Sequence, residues 1–438
     1  MDTLIKNITI ITMNRDQKVI QSGYLGVENG KISTIGDGEA SIEIEEGAKQ
    51  VINGKGKWAL PGLINTHGHI GMGLLRGHAD DLPLHRWLEE KMWPFEGQLD
   101  REAVFAARQL AMVEMVKSGT TTFLEMYHLW MDDLAEEVER NGMKAVLMRS
   151  MIGLCSEEEQ KAKLQEAVAF AKAWNRQANG RIQTMMAPHA PYTCPPAFIE
   201  RITEAAREEN LGLHMHIAET KKEVEDHVNL YGMHPLNHLK ELGVFENTHW
   251  LLAHCVHIGE EQIELLKSYP IHVSHNPMSN LKLGSGIAPV GEMLAKGINV
   301  ALGTDSVASN NHLDLIEEMR FAALLQKGRN LDPTVLPAEE ALMMATRNGA
   351  LALGLDGEVG TLQKGAEADV ILVKANEAHL QPWSHPFSHA VYALKGADVT
   401  DVFVQGVQLM ENRQLKTLDE EKIVAEANKH YERMLTLL

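Results

Sequence analysis

Between residues 60 and 304 the chain repeats one theme eight times, a short apolar run followed by a helical segment. The runs lie at residues 60–65, 119–125, 145–150, 182–189, 211–216, 248–254, 271–274 and 298–304. Short apolar stretches bounded by turn residues read as strands buried on both faces. The segments between them carry helix signals. Asp100 caps residues 101–117, whose apolar positions recur every three or four residues and stop at Ser118-Gly119. Pro195-Pro196 opens residues 197–209 as proline favours a first turn. Eight strands alternating with helices predict an α/β chain built on a (β/α)8 barrel, a fold whose functional residues sit at the C-terminal ends of its strands.

The flanks follow another pattern. Residues 4–12, 20–28, 31–35 and 49–53 carry β-branched residues, with Asn29-Gly30 as a hairpin signal. After a helical stretch at 338–353, short strands return at 368–373, 399–404 and 407–410. The simplest arrangement packs both sets into a smaller β-sandwich-like module formed by the two chain ends. Residues 1–56 then supply its N-terminal part, 57–358 the barrel and 359–417 its C-terminal part. Residues 418–438 read as a surface helix, open to docking on its own chain or on a neighbouring subunit of a homo-oligomer.

Composition narrows the partners. The 438 residues carry a formal charge of −19, whereas a nucleic-acid backbone or an anionic membrane requires clustered Lys and Arg. Neither is an expected partner. Cys155, Cys194 and Cys255 are odd in number and widely spaced, which is neither a disulfide framework nor a Cys-x-x-Cys zinc site. The first residues alternate apolar and polar, unlike a signal peptide, and no charge-free stretch reaches transmembrane length. A cytoplasmic location is the expectation.

Three of the strand-like runs end in residues that bind metals. His67-Gly68-His69 follows the first, His216-Ile217-Ala218-Glu219 the fifth and Thr304-Asp305 the eighth. Residues two apart on a strand share a face, so His67 and His69 can aim at one point. His216 and Asp305 complete a set of three imidazoles and one carboxylate, which suits a divalent transition metal with an open position for water. Zinc is the foremost expectation, with iron and manganese also tolerated. Such a site lowers the pKa of its water toward neutrality. Attack on an sp² carbon then needs a proton donor and a group to move the remaining proton. Glu219, just past the fifth strand, is placed to donate. His254, ending the sixth strand, is placed to shuttle protons with Asp305. Cys255 reads as a small buried hydrophobe, and His257, His272 and His275 as satisfied buried histidines.

The motifs Pro61-Gly62-Leu63-Ile64-Asn65-Thr66-His67-Gly68-His69, His216-x-x-Glu219, His254 and Gly303-Thr304-Asp305-Ser306 resemble the amidohydrolase superfamily in its mononuclear deaminase branch. The resemblance covers essentially the whole chain. Two-metal relatives carry a bridging carboxylated lysine on the fourth strand; no Lys lies between Arg181 and Lys221 here, so one metal per chain is implied. The segment 72–98, with Leu74-Leu75-Arg76-Gly77, Asp80-Asp81 and Trp93-Pro94-Phe95-Glu96, is similar to the 5′-methylthioadenosine/S-adenosylhomocysteine deaminases.

That resemblance implies hydrolytic deamination at adenine C6 of a 5′-substituted adenosine, a small-molecule nucleoside substrate. It implies that Glu96 binds the ribose hydroxyls, Trp87 packs on the substrate, Arg149 faces the 5′ substituent and His189 contacts the nucleoside. A carboxylate accepting two hydrogen bonds from a diol is sound recognition chemistry, and Arg149 follows the third strand. Some relatives carry a second arginine soon after this one. The next here is Arg176, so the resemblance tilts toward methylthioadenosine and other uncharged 5′ groups. The alternatives within the branch are deaminases of a free base or pterin and triazine hydrolases, which have no diol for Glu96. A non-enzymatic scaffold would be expected to lose a ligand or the acid, and none is lost.

Overall fold

Alternation of side chains sorts the strands into a closed barrel. On Thr120–Tyr127 and Lys144–Met151, Leu124, Met126, Val146 and Met148 join an interior cluster, while Phe123, Ala145 and Leu147 join the outer core. The structure, a computed structural model, describes residues 1–16 and 18–437, with every side chain there except that of His85. Gln17 and Leu438, which fall in the segments 1–56 and 418–438, lie outside the described residues. The barrel strands are Leu63–Asn65, Thr120–Tyr127, Lys144–Met151, Ile182–Thr184 with Ala187–Pro188, Leu213–Ile217, Trp250–His254, Ile271–His275 and Asn299–Leu302. Sequential strands pair in parallel. The ring closes between the fourth and fifth strands at Met186 and Leu213. It closes between the eighth and first where Thr66 N–H donates to the Leu302 carbonyl at 2.9 Å and Asp305 N–H to that of His67 at 3.0 Å. His67 and Asp305 are thus joined by the barrel's own closure.

Three expected elements are divided. Residues 60–65 read as one run, but Leu60 and Pro61 belong to Lys57–Pro61 in the mixed sheet and only Leu63–Asn65 to the barrel. Gly62 marks the crossing, because a Cβ there would sit 2.1 Å from the Thr121 hydroxyl. The run 182–189 breaks after Thr184. The helical stretch 338–353 becomes Ala338–Met344 and Arg347–Ala352. Thr346 sits at the break with its hydroxyl bonded to the Leu342 carbonyl at 2.6 Å, a local bond that competes with continuing the helix.

Both chain ends build one nine-stranded mixed sheet. Its hairpin turn is the expected one, Asn29 and Gly30 having φ of 50° and 77°. The sheet curls until Ile32 N–H donates to the Ala366 carbonyl at 2.8 Å and Ala368 N–H to that of Gly30 at 2.9 Å. Ile5, Leu25 and Ile32 from one end thereby share a core with Val370, Leu372 and Phe403 from the other. Lys144 ties this sheet to the barrel, donating from a fully buried Nζ to Asp369 at 2.9 Å and pairing with Glu367. The terminal helix Glu420–Leu435 docks on its own chain. Ile423, Ala427 and Met434 are buried, and pairs Lys117–Glu420 (2.7 Å) and Arg433–Asp100 (2.6 Å) fasten it to the helix Arg101–Lys117. Among the described residues no helix is long and apolar enough to cross a membrane.

Candidate active site

Hydrogen bonds fix which ring nitrogen of each site histidine is bare. His69 Nδ1 lies 2.7 Å from the Met126 carbonyl and His216 Nδ1 2.9 Å from that of His189, so both Nδ1 atoms carry the proton. His214 Nδ1 likewise faces the Leu251 carbonyl at 2.8 Å, leaving its Nε2 to accept from His67 Nδ1 at 2.8 Å. Each of His67, His69 and His216 therefore presents a bare Nε2. The Nε2 atoms of His69 and His216 are 3.1 Å apart, and that of His67 is buried with no hydrogen-bond partner among the described residues. Three lone pairs converging in this way repel one another unless a cation lies between them.

Asp305 completes the set, its Oδ1 lying 3.5 Å from His67 Nε2 and 3.4 Å from His69 Nε2. Its other oxygen accepts from Ser279 Oγ at 2.6 Å and Ser309 Oγ at 3.2 Å, which fixes the carboxylate's direction. Burial holds the His67 ring down to about 4 and His216 well below the usual histidine range, so both are neutral near pH 7, as metal ligands must be. The donor set and its outer partners fit a divalent cation. Glu125 steadies the turn after His69, accepting from Ile70 N–H at 2.6 Å and Gly71 N–H at 3.1 Å.

Four of the site residues or their neighbours adopt left-handed backbone, Ala218 (φ 50°), His254 (77°), Cys255 (48°) and Asp305 (61°). Such conformations cost roughly 1–3 kcal/mol each outside glycine and cluster where function holds them. Each occurs at a strand end and re-aims the chain toward the barrel mouth. His254 joins His67 and His216, their ligand-type atoms all within 4.8 Å of one another. Its Nδ1 faces the Asn280 amide at 2.9 Å and that of Asn276 at 3.3 Å, which leaves the proton on Nε2, 3.8 Å from Glu219 Oε2. Glu219 is not the helix cap; that role falls to Thr220. Its carboxyl is pushed up to about 8 by burial and then by the Asp305 charge, with Ser285 Oγ donating to it at 3.4 Å. At neutral pH it holds a proton.

Above this floor opens a cavity of about 550 Å³, lined by Trp87, Glu96, Arg149, His189, Glu219 and His254 among others. All five residues expected to face substrate are therefore on one cavity. Trp87 is anchored by its indole N–H to the Ala79 carbonyl at 3.1 Å, and Glu96 accepts from the Tyr127 hydroxyl at 2.6 Å. His189 Nδ1 meets Thr193 Oγ1 at 2.9 Å, and burial lowers its ring to about 3. Arg149 stands nearer the rim, paired with Glu166 at 2.7 Å.

Sequence reasoning missed several residues. Lys163, on the helix Glu157–Trp174, lines the same cavity, so Arg149 is not the only cation there. Its Nζ donates to the Ile152 carbonyl at 2.9 Å. His214 was detectable, because it precedes His216 by the same two residues that separate His67 from His69. Tyr127 was hidden by ending the second strand two residues early. Cys255, His257, His272 and His275 do not line the cavity. His257 bonds the Ser285 carbonyl at 2.7 Å, in keeping with a satisfied histidine, but neither nitrogen of buried His275 nor Nδ1 of His272 has a partner among the described residues.

The sequence pattern of the amidohydrolase family matches residues 58–409. The 5-methylthioadenosine/S-adenosylhomocysteine deaminase of Halalkalibacterium halodurans is 63% identical over 435 residues, covering 99% of each chain. Its namesake in Shouchella clausii is 56% identical over 434 residues, covering 99% of this chain and all of the other. Among solved structures, an adenosine deaminase of Xanthomonas campestris with bound zinc superposes with a TM-score of 0.92 at 33% identity, covering 99% of both chains. With that family pattern spanning most of its length and relatives of this identity along all of it, the chain belongs to the amidohydrolase family.

Proposed function

We propose that the protein deaminates 5′-substituted adenosines by hydrolysis, converting 5′-methylthioadenosine or S-adenosylhomocysteine to the inosine analogue and ammonia in the cytoplasm. The observation that carries this reading is the placement of Glu219, a buried carboxyl that is not part of the ligand ring yet lies on the cavity floor beside it. His67, His69, His216 and Asp305 would hold one divalent cation per chain, which we take to be zinc, as in the solved relative. When bound, that cation supplies Lewis acidity and an acidified water.

The remaining work falls to the chain's own residues. Water attacks adenine C6 and Glu219 delivers a proton to N1. The attacking water brings two protons: one returns to Glu219, and His254, whose Nε2 faces Glu219, and Asp305 move the other to the amine, which departs as ammonia. Trp87 packs against the nucleoside and His189 contacts it. Glu96, one oxygen held by Tyr127, keeps the other for the ribose diol, which favours a nucleoside over a free base, pterin or triazine. Two cations, Arg149 and Lys163, face the 5′ end. Their presence supports both the methylthio and the homocysteinyl substrate, where the arginine count alone tilted toward the uncharged one.

Incubation with 5′-methylthioadenosine, S-adenosylhomocysteine, adenosine, free adenine and a triazine, read by near-UV absorbance and ammonia release, tests the proposal. One ammonia per inosine analogue from the 5′-substituted adenosines is expected. Turnover of adenine or the triazine alone would overturn it.

A further inference from the structure

Side chains on the fifth barrel strand alternate, with Leu213, Met215 and Ile217 in the outer core and His214 and His216 turned to the ring of histidines. Continued alternation would send Ala218 inward and Glu219 outward. The opposite is found: Ala218 joins the outer core and Glu219 lines the cavity. The chain achieves this with the left-handed φ of 50° at Ala218, a conformation that a residue with a Cβ rarely adopts unaided.

Two sets of bonds hold that turn. The Ala218 carbonyl accepts from Val256 N–H at 3.0 Å and His257 N–H at 2.9 Å. On the other side the Glu223 carboxylate accepts from Ala218 N–H and Glu219 N–H, each at 2.8 Å and each on its own oxygen. A glutamate in the third position of a helix ordinarily bonds back to the cap residue's N–H. Here the cap is Thr220, which accepts from Glu223 N–H at 3.1 Å. The buried carboxylate, which the Thr220 N–H also faces, extends past the cap to the two residues that aim the proton donor.

We propose that Glu223 is a positioning residue for Glu219, clamping the left-handed turn that brings the donor carboxyl into the cavity. The proposal rests on the reading of Glu219 as proton donor. Glu223→Gln keeps the length but sets an NH2 group against a backbone N–H. Glu223→Asp keeps the charge but is one carbon too short to reach. A misplacement of ~1 Å at a reacting group costs up to about 100-fold, so kcat should fall roughly 10- to 100-fold in both variants. The bound metal per chain and the KM for 5′-methylthioadenosine should stay near those of the parent. In a Glu219→Gln background, where the donor is already gone, Glu223→Gln should cost almost nothing further.

Undiminished kcat in folded Glu223→Gln and Glu223→Asp would overturn the clamp. So would full activity in Glu223→Asp alone, a loss that tracks lost metal, or losses that multiply in the Glu219→Gln background. Normal turnover of Glu219→Gln by itself would instead remove the donor reading, and the proposal with it.

Discussion

Lys163→Met separates the two cations at the cavity rim. Arg149 is paired with Glu166 at 2.7 Å, and the Glu166 side chain is 59% exposed. A pair that open to solvent is worth about 0–1 kcal/mol, so Arg149 is released to a substrate carboxylate at small cost. Lys163 gives up two neutral acceptors, the Ile152 carbonyl at 2.9 Å and the Cys155 sulfur at 3.6 Å. One charge-assisted hydrogen bond to a homocysteine carboxylate contributes about 1.5–3 kcal/mol, or roughly 10- to 150-fold in kcat/KM. Lys163→Met and Arg149→Ala should each lower kcat/KM for S-adenosylhomocysteine by about that much, and change it little for 5′-methylthioadenosine. The assay is the initial fall in absorbance at substrate concentrations below KM. Equal losses on both substrates would mean that the residues shape the cavity rather than meet a charge. No loss on S-adenosylhomocysteine in Lys163→Met would refute the second cation.

Glu96→Ala should lower kcat/KM for adenosine-type substrates by roughly 10- to 150-fold and leave any turnover of free adenine nearly unchanged, since adenine has no diol; equal losses on both would reduce Glu96 to a structural role. Lys144→Met leaves the buried Asp369 and neighbouring Glu367 without their cation, and urea denaturation should register a loss of about 3–5 kcal/mol; an unchanged midpoint would contradict it. His214→Phe removes the partner that sets the His67 tautomer, so metal affinity by competition with a chelator should fall about 10- to 100-fold; undiminished affinity would contradict the tautomer argument. Glu219 prefers its proton in the folded chain up to about 8 against an ordinary 4.5, so it favours folding fully below 4.5 and that contribution is lost as pH rises through 8. In metal-free protein, Glu219→Gln should therefore gain thermal stability relative to the parent across that window, and a constant difference would refute the shift.

The barrel and the convergence of four candidate ligands at its mouth were legible because both follow from short-range rules. Eight apolar runs alternate with capped helices, and His67, His69, His216 and Asp305 all fall at or just past strand ends. The split of residues 60–65 was not legible, because no polar residue interrupts the run before Asn65 and only the packing of Gly62 on Thr121 separates the two strands. Glu219 was visible as a carboxylate near the site, but strand periodicity alone places it on the wrong face; the left-handed turn at Ala218 and the Glu223 bonds that hold it appear only in three dimensions. Lys163 was hidden for a related reason. It sits well along the chain from Arg149, and only the return of the helix Glu157–Trp174 over the barrel mouth brings the two to one cavity. Trp87 and Glu96 were named by resemblance, since no periodicity marks the segment that carries them.

The central claim is that a protonated Glu219, distinct from the metal ligands, supplies the proton that deamination needs. Its most direct test is single-substrate turnover of Glu219→Gln on 5′-methylthioadenosine, with metal content measured on the same preparation. The expected result is about one metal per chain, an intact fold and a loss of at least ~100-fold in kcat, the lower end for a general acid. Near-parental kcat with the metal retained would contradict it.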